Sequence, residues 1–402
     1  MNHHIRSLLL ILPISIMVSN CSPQEDAGSS LGDADLTVRV YRSQQDILIN
    51  PYKVVNSHVF GTDQGSETYL FTAIRVIGVC PHEHVHIYDW REGTIHRFLK
   101  DGTHIKSFGG QGGGPGEFDG DFAAMLFDEE LLTWDDGLLR MQRFTCEGEY
   151  LGQVRIPPGY ARYFAPYTNL DGQREYMGFG RFTAVQAASS SSEITLSSHL
   201  QFSTFREDLK PISTVLDSAL SRTYPRFGRR PAYPPFEMRW PRFALSGGNP
   251  LAWTWAQEYI IRLYDPVTGG HSAISIPDHQ PRVLSPEIRQ WQMEAWQLAF
   301  PIDEEYARRI RATEWPSTLP HISQMLWDAT GRLWVGEYAI PGLDEGPFAF
   351  NVFNANGEWL FTQHLPVLPH YIAEDGIYVT DFNGSGDPIV RFYKFIPSPN
   401  AG

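Results

Sequence analysis

The stretch RTYPRFGRRPAYPPFEMRWPRF, residues 222–243, stands out in an otherwise acidic chain. It sets Arg222, Arg226, Arg229, Arg230, Arg239 and Arg242 against Glu237 alone, with Tyr224, Phe227, Tyr233, Phe236, Trp240 and Phe243 between them and five prolines stiffening the path. Guanidinium groups offer forked donors to carboxylate or phosphate, and aromatic rings offer flat faces to sugars and cations. Arg226, Arg229, Arg230, Arg239, Trp240 and Arg242 are therefore the candidate ligand-binding residues. The competing reading is structural: the arginines pair with surface acids while the rings cover a sheet edge.

A second pattern, CPHEHVHIYD, sets His82, His84 and His86 at every second position. On a regular strand alternate side chains share a face, where imidazoles two apart can converge on one ion. These three are the candidate metal ligands. A buried, hydrogen-bonded neutral histidine is the ordinary alternative. Asp89, Asp135 and Asp381 each follow strand-like residues in a repeated position, which favours capping of the next turn over catalysis. No Gly-x-Ser-x-Gly elbow occurs, and no Ser/His/Asp set can be placed.

The run GGQGGGPGEF, residues 109–118, raises the question of a phosphate loop. Such a loop needs a helix N-terminus behind it, so that amide groups and the helix dipole face the anion. Here the strand-like EFDGDFAAMLF follows, and no Gly-Lys-Ser/Thr is present. The run is expected to turn a corner.

The elements that position these residues come from a repeat. VHIYDWREGTIHRFLKDGTHIKSFG (85–109) overlies LLTWDDGLLRMQRFTCEGEYLGQVR (131–155) at a constant offset of 46, matching Asp89 to Asp135, Arg97 to Arg143, Phe98 to Phe144 and Gly102 to Gly148. Each copy reads strand, Asp turn, strand, acidic-Gly hairpin, strand, the pattern of a propeller blade. LQFSTFREDLKPISTV (200–215) gives the outer hairpin of a third blade, and AWTWAQEYIIRLYDPVTGGHSAISI (252–276) a fourth. ISQMLWDATGRLWVGEY with FAFNVFNANGEWLFTQHL gives a fifth; HYIAEDGIYVTDF with PIVRFYKFI gives a sixth that lacks an outer strand. LTVRVYR and DILINPYKVV, near the N-terminus, are expected to supply that strand and close the ring. The fold class is thus all-β, a six-bladed β-propeller over residues 36–397. The segment 285–315 departs from the strand pattern: Ser285 and Pro286 start a helix with Ile288, Trp291, Ala295, Leu298 and Ala299 on one face. Asp303 caps a second helix that packs Tyr306 and Ile310. This helical insertion reads as padding against the rim, with a lid as the alternative.

FGGQGGGPGEF after a blade ending GTHIKS, with DATGRLWVGEY and VFNANGEWL later, resembles the six-bladed β-propeller lipoproteins related to NHL-repeat proteins. The likeness covers most of residues 36–397 and implies the fold and an envelope location. The N-terminus agrees: SLLLILPISIMV is an apolar run of 12 residues behind Arg6, too short to span a bilayer and suited to a secretory signal. Residues 1–20 are read as a lipoprotein-type signal peptide, Cys21 as the lipidated residue, and 21–35, polar and Gly/Ser-bearing, as a flexible tether. The expected location is the bacterial cell envelope, with membrane contact through the lipid alone.

A formal charge of −14 in 402 residues excludes general attraction to nucleic acid or anionic lipid. Aromatics at 13%, charged residues at 19%, and 35 glycines with 29 prolines suit many short strands and turns. Beyond Cys21 there are Cys80, placed between the first two strands of blade one, and Cys146, in the outer hairpin of blade two. Two strand spacings would hold them ~10 Å apart, whereas a bridge needs Cα atoms within about 7 Å, so two free thiols are expected. The functional expectation is an envelope-anchored binding module for an anionic glycan or a protein partner, with no cofactor. One alternative is a metal-dependent hydrolase or lyase using calcium or zinc, which rests on fold analogy. The other is a non-catalytic envelope scaffold.

Overall fold

The computed structural model describes residues 37–42, 47–61, 71–119, 122–135, 137–157, 164–186, 193–227, 230–231, 242–299, 303–340 and 343–399. The signal segment 1–20, Cys21 and the tether 21–35 lie outside the described residues, as do Arg229, Arg239 and Trp240. Among the described residues no helix is long and apolar enough to cross a membrane.

Three strands come first: β1 (Thr37–Val40), β2 (Leu48–Ile49) and β3 (Tyr52–Phe60). Blade one follows with β4 (Ile74–Val79), β5 (His84–Asp89), β6 (Thr94–Leu99) and β7 (His104–Gly109), and blade two with β8 (Phe122–Phe127), β9 (Glu130–Asp135), β10 (Arg140–Thr145) and β11 (Tyr150–Arg155). Blade three holds β12 (Phe164–Thr168), β13 (Arg174–Gln186), β14 (Glu193–Arg206), β15 (Pro211–Phe227) and β16 (Arg230–Pro231). Blade four holds β17 (Arg242–Ala244), β18 (Leu251–Thr254), β19 (Ile260–Tyr264) and β20 (His271–Ser275). After helices α1 (Pro286–Ala299) and α2 (Glu304–Arg311) comes blade five, β21 (Ile322–Trp327), β22 (Leu333–Glu337), β23 (Phe348–Phe353) and β24 (Trp359–Leu365). Blade six holds β25 (Tyr371–Ala373), β26 (Gly376–Phe382) and β27 (Pro388–Pro397). Each sheet is a meander numbered outward from its innermost strand, and six such sheets form the propeller.

The 46-residue offset is structural as well as sequential. β5, β6 and β7 map onto β9, β10 and β11 at that spacing, and the third strands carry the same bulge, between Arg97 and Phe98 and between Arg143 and Phe144. Second strands are buried along nearly their whole length, while the outer β7 alternates part-buried with exposed residues. The physical cause is placement. A second strand is covered by the blades on both sides and reads as a continuous apolar run, whereas an outer strand has one wet face. Among the described residues the propeller core is correspondingly distributed into six clusters that each bridge two neighbouring blades, with two more around the helices. Tyr88 and Ile95 of blade one meet Phe122 and Leu131 of blade two; Phe60 and Tyr378 of blade six meet Ile87 and Phe98 of blade one.

The ring closes through β3, which runs antiparallel to β27 from Tyr52–Pro397 to Phe60–Val390. This is the outer strand that blade six lacks, and it comes from the second of the two early segments. The first segment and the start of the second go elsewhere, correcting the expectation. β1 adds a fifth, parallel strand to β20 of blade four, and β2 adds one to β24 of blade five. Tyr41 fixes this belt, donating its hydroxyl to the Gly357 carbonyl at 2.9 Å and packing edge-on to Trp359. A chain lacking residues 37–50 is expected to fold and melt a few degrees lower, because β3 and its ladder remain; a thermal melt checks this.

In the helical insertion Ser285 Oγ accepts from the Ile288 amide at 3.3 Å, and Asp303 caps α2 by accepting from the Tyr306 amide at 2.7 Å. Tyr306, Ala307 and Ile310 are buried against Met293 of α1. Met293 joins Ile288 on the buried side, whereas Ala295 is half-buried. The seam therefore sits closer to Met293 than the expected face did.

Candidate functional site

Strands alternate in direction within a blade. The turns between second and third strands therefore share one face, here the upper face, with the connections from each blade to the next. The helical insertion joins blades four and five on this face. Residues 228–241, apart from the two-residue β16, lie between the end of β15 and the start of β17, both at the upper face. Residues 222–243 are only in part a connection between blades three and four. Residues 222–227 continue β15, whose ladder with β14 runs out to Glu193–Pro225, and Arg226 pairs in backbone register with Pro231. Arg230 begins β16 and Arg242 begins β17. β13, β14 and β15 have 13, 14 and 17 residues, where β5 has six. Blade three thus raises a three-stranded arm roughly 25 Å beyond an ordinary blade edge, at ~3.3 Å per residue. The polar run AASSSSEITLSSHL, which carries part of this arm, gave no amphipathic signal to find it by.

Of the candidate ligand-binding residues, Arg242 has a described side chain. As the first residue of an innermost strand it stands at the upper mouth of the channel between blades four and five. Its Nε donates to the Ser323 carbonyl at 2.9 Å. That carbonyl is free because the β21–β22 register slips between Ile322 and Gln324, leaving Ser323 outside the ladder. The Ser323 hydroxyl in turn donates to the carbonyls of Gly336 and Glu337. Burial pushes the Arg242 pKa down, with only Tyr338 nearby to oppose it, and among the described residues no carboxylate pairs with the guanidinium. A half-buried cation without a counter-ion is partly desolvated at a cost in stability. Its Nη donors have no hydrogen bond to the described protein, so the arrangement is incomplete as a structural device and suited to an incoming anion.

Beside it lies a group that sequence reasoning missed. His279 Nδ1 and His321 Nδ1 are 2.8 Å apart, so one ring donates and the other accepts, and His279 Nε2 lies 3.5 Å from Glu337 Oε1. Tyr259 packs against both rings and takes a hydrogen bond from Asn351 Nδ2 on its hydroxyl. Burial first, and then repulsion from His279, lowers the His321 pKa. The two histidines are 42 residues apart, and no local spacing connects them.

The other candidates are accounted for locally. His82 sits in the β4–β5 turn, with Nε2 3.9 Å from Glu129, so it does not continue the strand face of His84 and His86. His84 Nδ1 is 2.7 Å from Arg97, and His86, fully buried, holds the Cys146 carbonyl through Nε2 at 2.9 Å. Arg97 also faces Glu147 of the next blade at 3.7 Å. Arg143 repeats the device: it binds Glu130, the residue that matches His84, and Glu207 of blade three. His84 thus fills the position of an arginine partner. Among the described residues no group of three or more His, Cys, Asp or Glu is arranged to hold a metal ion.

Asp89 accepts from the amides of Thr72, Ala73, Arg91 and Glu92 and from the Thr72 hydroxyl, joining turn and blade entry as expected. Asp135 does the same with the amides of Asp119 and Leu138. Asp381 differs: it accepts from the Phe382 amide and pairs with Arg391 across the β26–β27 ladder. The Gly-rich run joins β7 to β8 and turns a corner. Its amides are committed internally: Gly110 to Gly93, Gly112 to Phe118, Gly114 to Glu117 and Gly116 to Gln142. Its carbonyls at Gly113, Gly114 and Glu117 converge on Arg140, a polarity opposite to that of a phosphate cradle.

No protein-family model matches the chain, and no curated protein matches it. Among solved structures the chain is similar to a Bacteroides fragilis protein named as exported, at 11% identity and a TM-score of 0.47, over 90% of this chain and 100% of that one. It is similar to a member of the DUF4221 family from Bacteroides vulgatus at 12% identity and a TM-score of 0.44, over 87% and 99% of the two chains. A virginiamycin B lyase from Staphylococcus aureus matches at 13% identity and a TM-score of 0.36, over 85% and 88%. The propeller assignment rests on the six sheets of this chain itself.

Proposed function

We propose that the protein is an exported, envelope-anchored binding module, held by lipid on Cys21, that takes an anionic glycan on its upper face. The observation that carries this reading is Arg242: partly desolvated at the channel mouth, bonded to one carbonyl, and without a carboxylate partner among the described residues. Carboxylate or sulfate groups on a sugar would complete its fork, and the arginines and rings of 226–240 begin on the raised arm of the same face.

Arg242→Met separates a ligand role from a structural one. Removing an unpaired, half-buried charge is expected to leave the melting temperature unchanged or higher, while affinity for a uronate or sulfated oligosaccharide falls at least tenfold. Calorimetric titration of wild type, Arg242→Met and an Arg229→Ala/Arg230→Ala variant reads this out. Unchanged affinity in Arg242→Met, or a lower melting temperature with affinity intact, removes the assignment.

A further inference from the structure

Cys80 and Cys146 are both buried, at 3% and 0% exposure, and both are free thiols. The expected ~10 Å separation, argued from flat strand spacings, is too long: His86 of the second strand of blade one binds the Cys146 carbonyl at 2.9 Å, and the Cys80 and Cys146 thiols shift each other's titration. The flat count fails because blades pack face on and twisted. The outer hairpin of blade two thereby folds under the second strand of blade one, where His86 grips the Cys146 carbonyl and Arg97 meets Glu147.

The preceding junction shows what this position does. Lys100 follows β6 as Cys146 follows β10, and Lys100 Nζ reaches back 3.1 Å to Asp375 in the first turn of blade six. Cys80 occupies the corresponding first turn of blade one. An inter-blade ion pair at one junction is replaced by two thiols at the next.

We propose that Cys80 and Cys146 are a disulfide-forming pair that locks blade one to blade two covalently. The co-reactant is an external disulfide, R–S–S–R, of a small thiol or a thiol-exchange protein. Cys80 thiolate attacks one of its sulfurs and expels RS⁻. Cys146 gives up its proton, attacks the Cys80 sulfur of the mixed disulfide and expels the second RS⁻. The protein loses two electrons and two protons, and the external disulfide becomes two R–SH. Cys80 is suited to the first attack because the neighbouring Cys146 thiol, and after it the His84 and His82 backbone, favour its thiolate against the cost of burial. Those contacts lower the Cys80 pKa, while the Cys146 pKa is raised. Because both thiols are buried, exchange requires local opening around the 80–83 turn.

The test uses the purified protein, reduced and then equilibrated natively in mixtures of reduced and oxidised glutathione. Samples are acid-quenched, unfolded, labelled with a mass-tagged maleimide and mapped by digestion. Labelling of Cys80 and Cys146 is expected to fall together, at least tenfold, with the two peptides recovered linked. In Cys80→Ser and Cys146→Ser the remaining partner is expected to form no intramolecular bridge. Full labelling of both residues across every mixture, including after refolding in oxidised glutathione, overturns the proposal. So does separate glutathione capping without a linked peptide.

Discussion

Asp328→Ala is expected to lower stability by about 3–5 kcal/mol, which for a chain of this size is a fall of roughly 4–6 °C in Tm. Asp328 is 3% exposed in the first turn of blade five. Its Oδ1 accepts from the Thr330 amide and hydroxyl and from the Arg332 amide, and its Oδ2 from Arg332 Nε and Trp334 Nε1. Alanine strands all five donors at once. Trp334, fully buried in the cluster between blades five and six, is left with an orphaned indole N–H, and Arg332 keeps only the distant Tyr52 hydroxyl. An orphaned buried donor costs about 1–3 kcal/mol, and a stranded buried charge more. Asp381→Ala is the control. That carboxylate is 45% exposed and its pairing with Arg391 is solvent-screened, so the loss stays within about 1 kcal/mol. Equal melting temperatures for the two variants would show that the Asp328 network contributes no more than a surface pair.

The second large effect is acid lability above the pH at which carboxylates titrate. Burial is the first cause that lowers the pKa of His58, His86, His96, His321 and His370, and for His96 it does so to about 4, with repulsion from His104 adding to it. A histidine whose folded pKa lies below its unfolded value of 6.5 favours the neutral folded form. Its stability contribution is complete above 6.5 and is lost as pH falls toward the folded pKa. For His96 the loss reaches up to about 2 kcal/mol by pH 5, before screening at its part-exposed ring is counted. Melting temperatures at pH 7.5, 6 and 5 are expected to fall in sequence, and His96→Gln is expected to flatten part of that slope. A profile level down to pH 5 in the wild type would show that these rings are solvated.

The blades were legible because each is a local unit. Strand, Asp turn and hairpin lie within 25 residues, and the 46-residue offset repeats the same bulge after the same arginine. The structural role of Asp89 and Asp135 followed from that repetition. What escaped depends on how blades meet. β1 and β2, of four and two residues, carry too little pattern to announce a partner more than two hundred residues away. The contact of Cys80 with Cys146 depends on blade twist, which a count of strand spacings leaves out. Arg242 was singled out as one cation in a basic run. Its distinguishing contact, with the Ser323 carbonyl, exists because the β21–β22 register slips there, which no local pattern announces.

The order in which the N-terminal segment is stitched also determines how the ring bears a load. Tension applied ahead of Thr37 first meets the four rungs that join β1 to β20, next the two that join β2 to β24, and only then the long β3–β27 ladder that holds the circle shut. The short parallel ladders stand in series ahead of the lock and act as fuses. A tug on the chain releases the belt from blades four and five before it reaches the closing strand.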